Sequence, residues 1–262
     1  MINMQHRSTF SLLLTFLAGL LILFIVAPIA GMFLHTEWPQ VSEALADNEV
    51  TRSIFLTLGI AMVTTLVAAV FAIPLAYLLA RFRFPGKIFI NAVIDLPIVI
   101  PHAAAGIALL TVLSKQSALG IMAESLGFHF VGHSLGIGMA MAFVSLPFLI
   151  NAARDGFASV PLQYEQAAES LGASRWRIFH TIALPLAGRS VVSGLVMMFA
   201  RGISEFGAVV IIAYYPMVSS VLIFERFGAY GLDYARPIAL LVIVVSLLFF
   251  VALRAIGGKR HV

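Results

Sequence analysis

The sequence predicts an all-α membrane protein with six transmembrane helices, and three observations support this fold class. The first is composition: 61% of the 262 residues are apolar and 11% are charged, whereas soluble domains are about 45–50% apolar and about 25% charged. The second is a mean hydropathy of +1.03. The third is that the apolar residues form continuous stretches, without the polar faces of a soluble bundle or the alternation of a β-barrel. A water-soluble globular enzyme is therefore excluded.

The first span is predicted near the N-terminus. No Asp, Glu, Lys or Arg occurs between Ser8 and Thr36. The apolar core, from Phe10 to Leu34, exceeds the roughly 20 residues that cross a bilayer as a helix. It is also longer than the apolar part of a signal peptide, and no small-residue cleavage site follows it. We therefore expect this span to be retained in the mature protein.

The next three spans are predicted from further charge-poor stretches. The second covers 53–80 and the fourth covers 135–153, and neither contains a charged residue. The third covers 88–113, interrupted only by Asp95. Two prolines, Pro97 and Pro101, lie near its middle. Proline removes a backbone donor from a helix. A kink is therefore expected in the third span.

The fifth and sixth spans are predicted over 186–213 and 238–253. The fifth contains two charged residues, Arg201 and Glu205. Six spans place both termini on one side of the membrane. That side has 11 of the Lys and Arg residues and the other side has four. The positive-inside rule therefore predicts that both termini are cytoplasmic.

One cytoplasmic loop, residues 154–185, is long enough to have its own structure. Pro161 favours the first turn of a helix and Gly172 favours its end. A second helical segment over 174–182 is expected to end before Pro185. The loop is thus predicted to form a short helix–turn–helix at the inner membrane surface, with a solvated amphipathic connector as the alternative.

The first helix of this loop, residues 161–171, has a surface suited to another protein. Ala167 and Ala168 keep part of it flat, so that a partner's backbone can approach closely. Glu165 and Glu169 lie one turn apart beside these alanines. We interpret their carboxylates as anchoring points for cations of a partner.

The same loop carries a motif. It has Gln-Ala-Ala at 166–168, Gly172, and Ile-x-Leu-Pro at 182–185. This pattern resembles the EAA signature of permease subunits of ABC importers, with Gln166 in place of the signature's glutamate. The resemblance covers the chain from about residue 52 and implies a coupling helix that docks on an ATPase. It implies these ATPase-coupling residues: Glu165, Gln166, Ala167, Ala168, Gly172, Ile182 and Pro185.

Further strings resemble the oxyanion branch of these permeases, which handles molybdate, tungstate and sulfate. Span three has LPIVIPH at 96–102 and GIALL at 106–110, and span five has FARGISEFGA at 199–208. The continuation IAYYPM at 212–217 is more similar to molybdate/tungstate permeases than to sulfate permeases. The resemblance implies an importer of molybdate or tungstate, with sulfate or thiosulfate as the alternative substrate.

The resemblance also implies an organisation and partners. We expect one transmembrane permease domain over residues 1–262, with its core at about 52–256, in the inner (cytoplasmic) cell membrane. The expected partners are a second copy of this chain, two copies of a cytoplasmic ABC ATPase, and an extracytoplasmic binding protein, because the external loops are too short to form a binding domain. No phosphate-binding Gly-x4-Gly-Lys-Ser/Thr string occurs. We therefore expect no enzyme activity and no cofactor on this chain, with ATP and Mg²⁺ on the ATPase. The basic residues flank the spans, so no binding of nucleic acid is expected.

Polar residues inside the spans are the candidates for an anion path. A dianion in hydrocarbon needs cationic or hydrogen-bonding partners, and Arg201 is the one basic residue well inside a predicted span. We interpret Arg201, with Ser204, Glu205 and His102, as lining the translocation path. The alternative is that Arg201 and Glu205 form an ion pair that only fixes helix packing. Asp95 has the wrong charge for an anion contact and is interpreted as structural or gating.

Two other functional classes remain as alternatives. A secondary transporter usually has internal repeats or broken helices with carboxylates at mid-membrane, and here only Asp95 and Glu205 qualify. A membrane enzyme needs a polar catalytic set at one interface, which is not evident. His129 and His133 lie four residues apart in an external loop, but a third ligand is missing, so no metal site is predicted.

Overall fold

The computed structural model of the protein describes residues 9–258. Residues 1–8 and 259–262, which include the ends predicted to be cytoplasmic, lie outside the described part of the chain. Within residues 9–258 the chain forms thirteen α-helices and one π-helical turn, Phe179–Ala183. The helices are α1 (Thr9–Leu34), α2 (Trp38–Ala46), α3 (Asn48–Arg81), α4 (Lys87–Val99), α5 (His102–Leu113), α6 (Ala118–Ser125), α7 (Ser134–Ser159), α8 (Leu162–Ser170), α9 (Arg175–Ile178), α10 (Leu184–Ile203), α11 (Gly207–Ile212), α12 (Ser219–Tyr230) and α13 (Leu232–Gly258).

Five helical segments are long and apolar enough to cross a membrane. They are α1, α3, α7, the run Arg175–Ile203, and Leu232–Ala255 of α13. They confirm the predicted first, second, fourth and sixth spans and most of the fifth. None of the residues of α1 is buried, so its apolar surface is available to lipid.

The predicted third span is not one helix. The axes of α4 and α5 differ in direction by 114° across the break at Ile100 and Pro101. Pro101 has no N–H to donate, and the residue before a proline is restricted to extended backbone, as Ile100 is with φ −73° and ψ 145°. The expected kink is therefore a full break, and there are six spans if this bent pair counts as one.

The fifth span differs from its prediction at both ends. The segment 174–182 does not end before Pro185, because α9 continues through the π-helical turn into α10. This wider turn accommodates Pro185, which lies in the first turn of α10. At the other end α10 stops at Ile203 instead of continuing to 213, and α11 begins at Gly207.

The centre of the bundle is formed by α3, α7 and α10, with α7 between the other two. Small residues allow α7 and α10 to approach closely. A Cβ on Gly156 of α7 would lie 2.4 Å from the Cβ of Ser190, and one on Gly194 of α10 would lie 3.0 Å from the Cβ of Ala152. Close helix packing through small residues is typical of membrane proteins.

Candidate functional site

Two broken spans meet at one group of polar residues, which we call the break cluster: His102, Arg201, Ser204 and Glu205. His102 is the first residue of α5, directly after the break at Pro101. Arg201 lies in the last turn of α10, and Ser204 and Glu205 lie in the break before α11. The structure therefore brings together all four residues that the sequence predicted for the path.

Glu205 is the centre of the break cluster. Its Oε2 accepts hydrogen bonds from His102 Nδ1 at 2.7 Å and from Arg201 Nη2 at 2.9 Å. Arg201 Nη2 also lies 2.9 Å from His102 Nε2. The same Nη2 lies 2.8 Å from His102 Nδ1, so it is almost equidistant from the two ring nitrogens. Arg201 Nη1 donates to Ser204 Oγ at 3.2 Å.

Glu205 also holds the break between α10 and α11 in place. Its second oxygen, Oε1, accepts from the backbone N–H of Ala208 at 2.9 Å. Its backbone carbonyl accepts from Ser220 Oγ at 2.7 Å. The first turn of a helix has N–H groups without partners in the helix, and the carboxylate satisfies one of them. The break is thus held by hydrogen bonds to Glu205, which take the place of the backbone hydrogen bonds of a continuous helix.

Glycines allow α5 and α11 to touch at the break cluster. A Cβ on Gly207 would lie 2.7 Å from the Cβ of His102, and a Cβ on Gly106 would lie 2.9 Å from the Cα of Ala208. Side chains do not pack at such distances. A larger residue at either glycine would therefore separate the two helices and lengthen the hydrogen bond between His102 and Glu205.

The donors of the break cluster are accessible, but its carboxylate is not. The side chains of His102 and Arg201 are 40% and 22% exposed, and that of Glu205 is 1% exposed. Ser204 is also exposed. The accessible surface of the cluster therefore presents N–H and O–H donors, with the carboxylate behind them. Donors of this kind bind oxyanions through charge-assisted hydrogen bonds.

The second predicted site is the surface of α8 and the turn after it. Gln166 and Ala167 are exposed, and Gly172 follows α8 with φ +81°. The backbone N–H of Ala173 donates to Ala168 O at 3.0 Å, and that of Gly172 donates to Glu169 O at 2.9 Å. These two bonds form the Schellman motif, in which glycine supplies the left-handed residue. The predicted end of this helix at Gly172 is confirmed.

Two large apolar side chains beside this surface, those of Leu171 and Trp176, were not included in the site by the sequence interpretation. Ile182 is partly buried in the π-helical turn and Pro185 is exposed. Leu171 is 89% exposed and Trp176 is 71% exposed. Exposed apolar groups of this size mark sites of protein or membrane contact. The signal in the sequence was an apolar residue directly before the helix-ending glycine.

Glu165 is not the exposed anchoring point for a partner that the sequence predicted. It is buried, and both of its oxygens are bound within the chain. Arg81 Nε donates to Oε1 at 2.8 Å, and Tyr77 Oη donates to Oε2 at 2.8 Å. The exposed carboxylate of α8 is that of Glu169. The sequence interpretation missed both partners, because Arg81 had only been counted in the charge asymmetry between loops.

A family model matches most of the chain. Residues 72–259 match the model described as "Binding-protein-dependent transport system inner membrane component". The chain belongs to this family. It is therefore a multi-pass permease of the inner membrane, as the sequence predicted.

Similar proteins have two kinds of substrate in their names. The permease is 44% identical over 247 residues, 94% of this chain and 95% of the relative, to the "Molybdate/tungstate transport system permease protein WtpB" of Thermococcus kodakarensis. It is 32% identical over 90% of this chain and 88% of the relative to the "Sulfate transport system permease protein CysT" of Escherichia coli.

A solved structure has the same fold as the permease. It is that of a bacterial alginate ABC transporter in complex with a periplasmic protein bound to an alginate pentasaccharide. The TM-score is 0.74 at 18% identity, covering 95% of this chain and 94% of that chain. At this level of identity the likeness concerns the fold.

The other residues that the sequence singled out have ordinary contacts in the permease. Asp95 accepts a hydrogen bond from Asn151 Nδ2 at 2.6 Å, which links α4 to α7. The rings of His129 and His133 lie 5.3 Å apart, centre to centre. Among residues 9–258 there is no group of three His, Cys, Asp or Glu side chains that could hold a metal ion.

Proposed function

We propose that this permease is the transmembrane subunit of an ATP-driven ABC importer for molybdate or tungstate. The observation that carries the proposal is the 44% identity over nearly the whole chain to a molybdate/tungstate permease, compared with 32% to a sulfate permease. The chemistry of the break cluster is consistent with it, because a tetrahedral oxyanion needs several N–H and O–H donors at once.

In the proposed complex, two copies of the permease form the path and two copies of a separate ATPase supply the energy. A binding protein delivers the anion on the outer side, and both termini lie in the cytoplasm. The surface of α8, with Gln166, Ala167 and Ala168, docks on the ATPase, and Gly172, Ile182 and Pro185 shape the turn and π-helical segment behind it. ATP binding closes the ATPase pair and shifts the permeases to the state that is open to the outside, and hydrolysis returns them to the state that is open to the inside. Each state is stabilised by different contacts, as any ligand-driven shift requires.

The break cluster acts in this proposal as a weak site on the path. Arg201, His102 and Ser204 donate hydrogen bonds to the passing anion. Glu205 holds Arg201 at 2.9 Å, so the anion competes with a carboxylate for the same guanidinium. This competition lowers the affinity and permits release, which conduction requires.

Uptake in competition tests the proposal. Proteoliposomes that contain the permease and its ATPase, with the binding protein outside, are given labelled molybdate with an excess of unlabelled tungstate or sulfate. We expect ATP-dependent uptake that tungstate inhibits and sulfate does not. Stronger inhibition by sulfate would show that sulfate is the substrate, while the proposed architecture would stand. Uptake without ATP would refute the proposal that the protein is part of an ATP-driven importer.

A further inference from the structure

Arg81 connects three parts of the protein at the α8 end of the bundle. It is the last residue of α3. Its Nε donates to Glu165 Oε1 at 2.8 Å, and its Nη2 donates to the same oxygen and, at 3.1 Å, to the carbonyl of Val160. Glu165 belongs to α8, and Val160 is the C-cap of α7. One guanidinium thus joins the end of α3 to α8 and to the end of α7.

Tyr77 completes this connection from one turn earlier on α3. Its Oη donates to the other carboxylate oxygen of Glu165 at 2.8 Å. Its ring packs edge-on against Phe157 of α7, with centroids 5.3 Å apart, and against Phe179 of the π-helical turn at 5.0 Å. Both oxygens of Glu165 are therefore held by α3, at a point where α3 also packs on α7 and on the π-helical turn that continues into α10.

The two carboxylates of α8 have opposite environments. The side chains of Arg81 and Glu165 are 7% and 11% exposed, so water and salt screen their interaction little. Glu169 is 60% exposed, and its nearest cation, on Arg175, is 3.9 Å away. Exposed pairs of that kind contribute little to stability, whereas removing one partner of a buried pair leaves an uncompensated charge.

We propose that Glu165 is a positioning residue that fixes α8 to α3, so that a displacement of α8 moves α3, α7 and α10 together. This inference rests on the proposed function, in which α8 docks on an ATPase. Without the link, α8 keeps its flanking backbone at Pro161 and at Gly172, whose φ is +81°, and its packing on α9 and the π-helical turn, but it loses its direct bond to α3. Displacement of α8 would then be absorbed in part by these turns, and less of it would reach the path.

The first test measures how many molybdate ions the reconstituted complex imports per ATP hydrolysed. For Glu165→Ala we expect this ratio to fall by about tenfold, equivalent to about 1.4 kcal/mol. Arg83→Ala, which removes an exposed charge two residues after Arg81, is the matched control and keeps the wild-type ratio. Glu165→Gln still accepts a hydrogen bond from Arg81 and recovers most of the ratio.

A role in folding alone would change the yield of the complex but not the ions imported per ATP. A wild-type ratio in an assembled Glu165→Ala complex would therefore overturn the proposal. If this variant does not assemble, Tyr77→Phe decides, because it removes one hydrogen bond and keeps the ring. We expect its ratio to fall by about twofold to tenfold, the effect of one typical hydrogen bond, and an unchanged ratio would overturn the proposal.

A second measurement needs neither ATPase nor anion. The chain contains no cysteine, so spin labels can be attached at Arg83→Cys and Ser170→Cys, two exposed positions near the ends of α3 and α8. We expect one narrow distribution of label distances in the otherwise unaltered permease and in Glu169→Ala, and a broader one in Glu165→Ala. Equal widths would refute the link. Absence of ATP-driven uptake by the wild type would instead refute the proposed function and leave this result standing.

Discussion

Replacement of Arg201 separates a role in transport from a role in packing. The side chain donates to Glu205 at 2.9 Å and to Ser204 at 3.2 Å, and it contacts the His102 ring. Arg201→Ala removes all of these contacts. If Arg201 lines the path, uptake falls even where the fold is intact. If it only fixes packing, uptake falls only in proportion to the loss of folded protein.

The two effects of Arg201→Ala have different expected sizes. A hydrogen bond to a charged group contributes about 1.5–3 kcal/mol, and 1.36 kcal/mol is a factor of ten in rate, so uptake is expected to fall by about 10- to 150-fold. Breaking a buried ion pair costs about 3–5 kcal/mol. The Arg201 side chain is 22% exposed, and Glu205 keeps its bonds from His102 and Ala208. We therefore expect the free energy of unfolding to fall by about 2 kcal/mol, below the range for a fully buried pair.

The decisive variant is Arg201→Ala combined with Glu205→Gln. It removes both charges and keeps an oxygen that accepts from the N–H of Ala208, so that no buried carboxylate is left without its partner and part of the stability returns. The cationic donor remains absent, so uptake by proteoliposomes stays at least about tenfold below wild type. Arg236→Ala is the control, because it loses a 2.6 Å hydrogen bond to His35 O at a comparable side-chain exposure of 17%. We expect its uptake rate to be that of the wild type.

One result would refute this reasoning. If the double variant regains both its thermal stability in detergent and wild-type uptake, Arg201 is a packing residue and the break cluster is not part of the path. Loss of uptake in the Arg236→Ala control would show that the assay responds to any arginine removed from the surface of the spans.

Three further predictions concern the fold and the α8 surface. Gly156→Ala places a Cβ 2.4 Å from a side chain of α10, so we expect a loss of about 1–3 kcal/mol in thermal unfolding; Gly188→Ala, with nothing within 4 Å, is the neutral control. Gly172→Ala forces alanine to φ +81° and should cost about 1 kcal/mol, measured in the same way. Trp176→Ala should weaken binding of the ATPase by about 2 kcal/mol, as at a binding hot spot, so that less ATPase co-purifies with the permease. Its unfolding temperature should not change. Leu126→Ala, at a position that is 68% exposed at the opposite end of the bundle, should leave co-purification unchanged.

The spans were predictable where a long apolar stretch is also one helix. The predicted core of the first span, from Phe10 to Leu34, agrees with α1 within one residue at either end. Length and hydropathy alone determine such a span, because every backbone group in hydrocarbon must be satisfied within the helix. The sixth span began earlier than predicted, at Leu232, since Asp233 and Arg236 in its first turns lower the hydropathy without ending the helix.

The breaks were only partly predictable. Pro101 predicted a break, because proline removes its own backbone N–H and restricts the backbone of the residue before it. The end of α10 has no such local signal. It depends on Glu205, whose Oε1 accepts from the N–H of Ala208 and whose Oε2 binds His102 from another helix. A contact between residues about a hundred positions apart is not visible in hydropathy, and the fifth span was therefore predicted as continuous to 213.

Arg81 and Arg83 show the same limit for the α8 end. Both were counted as charges that set the orientation, and they are two residues apart in an apparently basic turn. In the structure Arg83 is exposed, while the Arg81 side chain is 7% exposed and is bound to Glu165. The positive-inside rule applies to both residues, because it depends only on which side of the membrane they lie. The proposed role in coupling is argued from burial and pairing, so replacing Arg83 should leave the ions imported per ATP unchanged while replacing Glu165, the partner of Arg81, should not.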